Sequence, residues 1–225
     1  MPQHPAKYTD SFIPVFNDLL QGREKVFDPF AGTGKLAEIK NFGFSGQVFC
    51  NEIEIEWAEA CKYYVDKWTI CDAEFLPYEN KFFDAICTSP TYGNRMADHF
   101  NAKDDSKRIT YRHYLGKPLN IENTGRMQWG DKYKNKHANV YKECLRVLKL
   151  DGIFILNISD HIRKGELINV SDWHKQIMIE IGFALKDTIQ IKTRRMKFGE
   201  NNKLRVDYEN IFVFSKEEKD DPTDS

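Results

Sequence analysis

Two stretches of this 225-residue chain combine residue types that do chemistry at spacings that chemistry needs. In the first, EKVFDPFAGTGKLAEI, an apolar run ends at Phe27, Asp28 follows, and Gly32-Thr33-Gly34 turns into a helix-like segment. Glycines there let the backbone approach a ligand closely, and a helix amino terminus offers free N–H groups. A phosphate-binding P-loop is excluded, because Pro29 stands at its first glycine and Leu36 replaces its serine or threonine. A dinucleotide fingerprint fits as GxGxxA over Gly32–Ala37, with Glu52 near the place of a ribose-binding acid. The third reading is S-adenosyl-L-methionine, whose sulfonium and amine suit an acidic, open turn over Asp28, Pro29, Phe30, Ala31, Gly32, Thr33 and Gly34. Two further acids fall where an adenosine would want them. Glu52, followed by Ile53, ends a strand-like run and can accept from both ribose hydroxyls. Asp72, followed by Ala73, ends another and can accept from an adenine amino group. Either acid alone is an ordinary strand-end carboxylate; the ordered series with the glycine turn points to a nucleoside cofactor.

The second stretch is Thr88-Ser89-Pro90-Thr91-Tyr92-Gly93-Asn94, directly after the apolar run Phe83–Cys87. Together with DPFAGTG upstream, it resembles the amino-methyltransferase family, which methylates exocyclic amines of bases, mostly in DNA, with a [DNS]PP[YFW] tetrapeptide. The resemblance runs from about Lys7 to Phe214 in strand order, with two specific motifs. It implies a Rossmann-like S-adenosylmethionine-dependent methyltransferase fold, a mostly parallel open α/β sheet with a C-terminal antiparallel hairpin. It puts the cofactor on Asp28–Gly34, Glu52 and Asp72, and catalysis on Ser89, Pro90 and Tyr92. The opening HPAKYTDSFIPVF is similar to the element that precedes the cofactor motif in such enzymes, which places Lys7 and Tyr8 near the methionine end. Thr91 departs from the pattern by replacing a second proline, which loosens a rigid turn and adds a hydroxyl.

The chemistry gives these residue types their reason. An exocyclic amine is a poor nucleophile because its lone pair is conjugated with the ring. Hydrogen bonds from that NH₂ to the Ser89 hydroxyl and the Pro90 carbonyl favour a pyramidal nitrogen and stabilise charge developing on it. Tyr92 would stack on the base, which must leave a duplex to reach the pocket. Carbon-5 cytosine methylation would need a Pro-Cys nucleophile, and the chain has no Pro-Cys.

The elements that must position these residues alternate. Strand-like runs at Glu24–Phe27, Gly46–Asn51, Trp68–Cys71, Phe83–Thr88 and Ile153–Ile158 are separated by helix-period segments. The helices are expected from Gly34 to Asn41, Glu54 to Trp68, His137 to Leu148 and Val170 to Ile181, the last capped by Ser171 and ended by Gly182. Trp57, Tyr64 and Trp68 at helical spacing read as core packing. Leu185–Lys192 and Arg205–Phe214 close the sheet, giving an open α/β architecture.

Residues 94–136 break that rhythm with ten bases against five acids, and residues 192–205 hold six bases against one. The whole chain balances at −1, so the basic charge is segregated rather than general. With Phe100, Tyr111, Tyr114, Trp129 and Tyr133 interleaved, the insert reads as a nucleic-acid groove: charge for phosphates, flat faces for unstacked bases. Lys107, Arg108, Arg112, Arg194, Arg195 and Lys197 are expected to line it. One methyltransferase domain over 1–215, carrying the 94–136 insert and the 192–205 hairpin loop, then precedes an acidic tail, 216–225. No run approaches the roughly 20 apolar residues of a membrane span. Five cysteines without a CxxC pair read as buried thiols in a reducing, cytoplasmic setting. The histidines match no metal spacing, and His161 and His174 read as structural, so no metal is expected. The preferred substrate is an amine of a DNA base, N4 of cytosine ahead of N6 of adenine. An RNA base-amine methyltransferase, a nicotinamide-dependent oxidoreductase and a catalytically silent nucleic-acid binder remain as alternatives.

Overall fold

The computed structural model describes residues 9–93, 111–163, 165–193 and 206–217. Its centre is a seven-stranded sheet built from β1 (Lys25–Asp28), β2 (Gln47–Asn51), β3 (Lys67–Thr69), β4 (Phe83–Thr88), β5 (Leu148–Ile158), β8 (Phe183–Lys192) and β9 (Tyr208–Lys216). The spatial order is β3-β2-β1-β4-β5-β9-β8. The first five strands are parallel, while β9 runs antiparallel to both β5 and β8. That is the open α/β sheet with a closing hairpin that the alternation of runs predicted. Between β5 and β8 lie the short hairpin β6 (His161–Arg163) and β7 (Glu166–Ile168), which the sequence pattern did not suggest.

Both faces of the sheet are covered, as the unbroken apolar runs of β4 and β5 require. On one face α1 (Phe12–Leu19) inserts Phe12, Ile13 and Phe16 beside Leu36 and Ile39 of the 3₁₀ helix Lys35–Phe42. On the other, α4 (Asp131–Val147) and α5 (Val170–Ile181) bring Val140, Tyr141, Cys144 and Met178 onto Phe27, Phe83, Phe154 and Phe214. Each such fully buried side chain contributes roughly 1.5–3 kcal/mol. Between Phe83 and Ala85 the register of β4 on β5 jumps from Leu148 to Ile153. The bulge absorbs Lys149–Gly152 and puts Asp151 at φ 58.

Four expectations need correction. The helix after β2, α2 (Ile55–Cys61), stops well short of Trp68 because Asp66 turns back to accept from the Val48 N–H. Trp57 is core, but Tyr64 is 51% exposed and Trp68, on edge strand β3, is 38% exposed. Ser171 does not cap α5; the Asp160 carboxylate accepts from both its N–H and its hydroxyl at 2.8 Å. The aperiodic insert is partly regular, holding α3 (Tyr111–Leu115), a 3₁₀ turn at Thr124–Arg126 and the first turns of α4. Two of its rings, Tyr111 and Tyr133, are buried rather than exposed on the surface.

Candidate active site

The carboxyl ends of β1 to β4 open on a cavity of 330 Å³. It lies where the strand order reverses between β1 and β4, the crevice in which open α/β sheets bind ligands. Pro29, Phe30, Ala31, Gly32 and Thr33 from the glycine turn line it, as do Glu52, Ile53, Asp72 and Ala73 from the ends of β2 and β3. Ser89, Pro90 and Tyr92 line the same cavity, so the two motifs, far apart in sequence, share one space. Asp28 and Gly34 sit behind its wall. Asp28 accepts from the Thr88 hydroxyl at 2.6 Å and from the Phe30 N–H, tying the end of β1 to the end of β4. Gly34 has φ 80, which favours glycine, and a Cβ there would press on Val65 at 3.2 Å and Cys61 at 3.4 Å.

Glu52 organises one wall of the cavity. Its carboxylate accepts from the N–H groups of Gly32, Ile53 and Glu54 at 2.9–3.0 Å, folding the glycine turn against the end of β2. Burial raises its pKa to about 7, more than the three N–H donors lower it. Asp72 accepts from the Glu74 N–H and pairs with Lys136, a buried lysine of α4 that also holds Glu74 at 2.5 Å and Glu122 at 3.5 Å. Burial works to lower the Lys136 pKa, but the hydrogen bonds it donates to Asp72 and Glu74 outweigh it and raise it. Acids outnumber bases on the cavity wall, with Glu52, Asp72, Glu122 and Glu209 facing Lys35 and Lys136. A wall of that sign fits a cofactor carrying a sulfonium and an ammonium group.

The tetrapeptide is held from below and from the side. Ser89 Oγ lies 3.0 Å from the Tyr92 hydroxyl, which donates to Glu209 of β9 at 3.1 Å. Asn157 of β5 donates to Glu209 at 2.8 Å and to Ser89 Oγ at 3.4 Å. Thr91 uses the hydroxyl gained in place of proline, donating to Thr124 Oγ1 at 3.0 Å, and its carbonyl accepts from Tyr133. Behind Tyr133, His174 bridges to Tyr141 through its other ring nitrogen. Burial holds the His174 pKa well below the usual histidine range, so the ring is neutral. Because Tyr133 spends its proton on Thr91, His174 Nε2–H donates to Tyr133 and Nδ1 accepts from Tyr141. Two interactions thus replace the stiffness of the missing proline.

The insert forms the remaining wall. Glu54 accepts from the Asn120 N–H at 2.7 Å and the Asn123 amide at 2.8 Å, and Tyr111 packs edge-on against Trp57. Tyr111, Asn123 and Thr124 therefore face the cavity, and Gly93 holds the Trp129 N–H at 3.0 Å. Of the expected site residues, Lys7, Tyr8, Lys107, Arg108, Arg194, Arg195 and Lys197 lie outside the described residues, as does the side chain of Arg112. Within the first basic segment Tyr111 lines the cavity, and in the second the Thr193 N–H donates to Asp207 O at 2.7 Å, two residues before Glu209.

Lys136, Asn157 and Glu209 were missed by sequence reasoning. Lys136 is one of the ten bases read as charge for phosphates, although Lys136, His137, Val140, Tyr141 and Cys144 fall on the buried face of one helix. Glu209 stands in the run YENIFVF, where an acid at the start of an apolar strand was the available signal.

A search of curated proteins finds no match to this chain. Among solved structures, an S-adenosylmethionine-dependent methyltransferase from Methanosarcina mazei is 11% identical with a TM-score of 0.58, over 97% of this chain and 100% of that one. A TehB-like S-adenosylmethionine-dependent methyltransferase from Corynebacterium glutamicum is 12% identical with a TM-score of 0.51, over 91% and 87%. A putative RNA methyltransferase from Pyrococcus horikoshii is 15% identical with a TM-score of 0.55, over 92% and 82%. At these identities the likeness is one of fold. A family model described as DNA methylase, of the N6/N4 methyltransferase class, matches residues 83–225, more than half of the chain. With the tetrapeptide inside that match and the glycine turn across the cavity from it, the chain belongs to the DNA methylase family and is an S-adenosylmethionine-dependent methyltransferase.

Proposed function

We propose that the protein methylates an exocyclic amino group of a base in DNA, with N4 of cytosine preferred over N6 of adenine. The observation that carries this reading is the seat of Ser89, Pro90 and Tyr92 in the same cavity as the glycine turn, Glu52 and Asp72. The cofactor supplies an electrophilic methyl group on sulfur. Every other part falls to this chain. Glu52 and Asp72 hold the adenosine by its ribose and amino group, and the Asp28–Gly34 turn accommodates the methionine end, with Lys7 and Tyr8 beside it. Ser89 Oγ and the Pro90 carbonyl accept from the target NH₂ and orient its lone pair. Tyr92 stacks on the flipped base. The bases of the insert and the hairpin loop, Lys107, Arg108, Arg112, Arg194, Arg195 and Lys197, contact phosphates at the rim, so sequence recognition is short or relaxed. Residues 1–215 act as one domain, working in the cytoplasm; among the described residues no helix is long and apolar enough to cross a membrane.

An RNA amine is the second reading, favoured by the fold it shares with a putative RNA methyltransferase. Incubating the protein with methyl-labelled cofactor and either single-stranded DNA or transfer RNA separates the two. Label in DNA that is lost in Ser89→Ala supports the proposal, and label confined to RNA replaces it.

A further inference from the structure

We propose that Glu209 is the final acceptor of the proton released from the target amine, reached through Ser89 and Tyr92. The inference rests on the tetrapeptide acting on that amine, and it holds whether the base is in DNA or RNA. Glu209 is only 7% exposed, and its carboxylate sits against the Tyr92 hydroxyl and the Asn157 amide. Proton directions follow from the group types. An ionised carboxylate only accepts, so Tyr92 donates its single hydroxyl proton to Glu209 Oε2. Tyr92 must then accept in its contact with Ser89, so the Ser89 hydroxyl donates to it. The Asn157 amide occupies one lone pair of Ser89 Oγ at 3.4 Å. The other lone pair is thereby set to accept from an amine in the cavity. Glu209, on the last strand of the sheet, fixes the polarity of the catalytic serine.

The same chain can carry the proton away. As the nitrogen forms its bond to the methyl carbon, the carbon–sulfur electron pair stays on sulfur and the nitrogen becomes cationic. An N–H bond then breaks with its electron pair returning to nitrogen. That proton passes to Ser89 Oγ while the serine proton passes to Tyr92 Oη and the tyrosine proton to Glu209. Ser89 and Tyr92 end as neutral hydroxyls, Glu209 as a carboxylic acid that later loses its proton to water. A buried carboxylate also opposes the positive charge that grows on nitrogen during the transfer.

The test uses the full chain with labelled S-adenosylmethionine and a mixture of single-stranded DNA and transfer RNA as acceptors. Glu209→Gln keeps an acceptor for Tyr92 but removes the charge. It should lower kcat about 100-fold, the scale of losing one such stabilising group, with KM for nucleic acid unchanged. Tyr92→Phe should fall alongside it, and the double variant should be no slower than the worse single variant, because both cut one chain. Wild-type kcat in Glu209→Gln beside an inactive Ser89→Ala overturns this inference alone. Losses that multiply in the double variant overturn it too, assigning the two residues separate roles. Wild-type turnover in Ser89→Ala refutes the tetrapeptide as the active site and takes this inference with it.

Discussion

Replacing Glu52 by glutamine tests the electrostatics of the cofactor wall without removing its shape. The carboxyl titrates at about 7 in the folded protein against 4.5 for an unperturbed glutamate, because burial disfavours its charge. Between those values the folded chain keeps a proton that the unfolded chain gives up. Stability therefore falls as pH rises from about 4.5 to about 7 and is level beyond. At about 1.4 kcal/mol per unit the loss is at most about 3.5 kcal/mol, and less where cavity water reaches the oxygens. Urea unfolding across that range should show the slope in the wild type and not in Glu52→Gln. The site should respond in the opposite sense. Ribose hydroxyls donate to the ionised form, so binding favours loss of the proton. Methylthioadenosine, which carries the adenosine without titrating methionine groups, should bind about tenfold more weakly per unit as pH falls below about 7. In Glu52→Gln that dependence should vanish. A wild-type affinity that is flat, or that improves in acid, would show that Glu52 does not hold the ribose as a carboxylate.

Lys136→Met leaves Asp72, Glu74 and Glu122 facing one another without their shared cation, and should cost about 2–3 kcal/mol in thermal unfolding, with part restored by adding Asp72→Asn. Tyr133→Phe strands the Thr91 carbonyl, so turnover should fall several-fold with cofactor affinity unchanged, as read by single-turnover rates and calorimetry. Arg194→Ala with Arg195→Ala should reduce the log–log salt slope of DNA binding by about 2, close to 0.9 per phosphate contact; an unchanged slope would detach this loop from the substrate.

What could be read from the sequence was what local rules govern. The glycine turn, Glu52 and Asp72 lie at strand ends because strands and turns are written in nearby residues, and Pro29–Thr33, Glu52 and Asp72 line the cavity. The open α/β sheet with its closing hairpin also followed from alternating runs, while the order of its strands and the β6–β7 hairpin did not. The errors arose where tertiary contacts overrule local pattern. Helical spacing of Trp57, Tyr64 and Trp68 suggested one long helix, but Asp66 bonds to β2 and starts a strand after Cys61. Tyr111 and Tyr133 read as exposed rings because their segment has no period of its own; they are buried by partners distant in sequence, Trp57 and His174. Glu209 and Lys136 escaped for the same reason. Their partners lie 117 and 64 residues away, and charge alone does not announce such a pairing.

The proposed transfer of methyl groups to base amines in DNA is tested most directly by mass spectrometry of nucleosides after DNA is incubated with the protein and methyl-deuterated S-adenosylmethionine. Deuterated N4-methylcytosine is expected, with any N6-methyladenine a minor product, and neither with Ser89→Ala. Deuterium appearing only in 5-methylcytosine, or only in RNA nucleosides run in parallel, would contradict it.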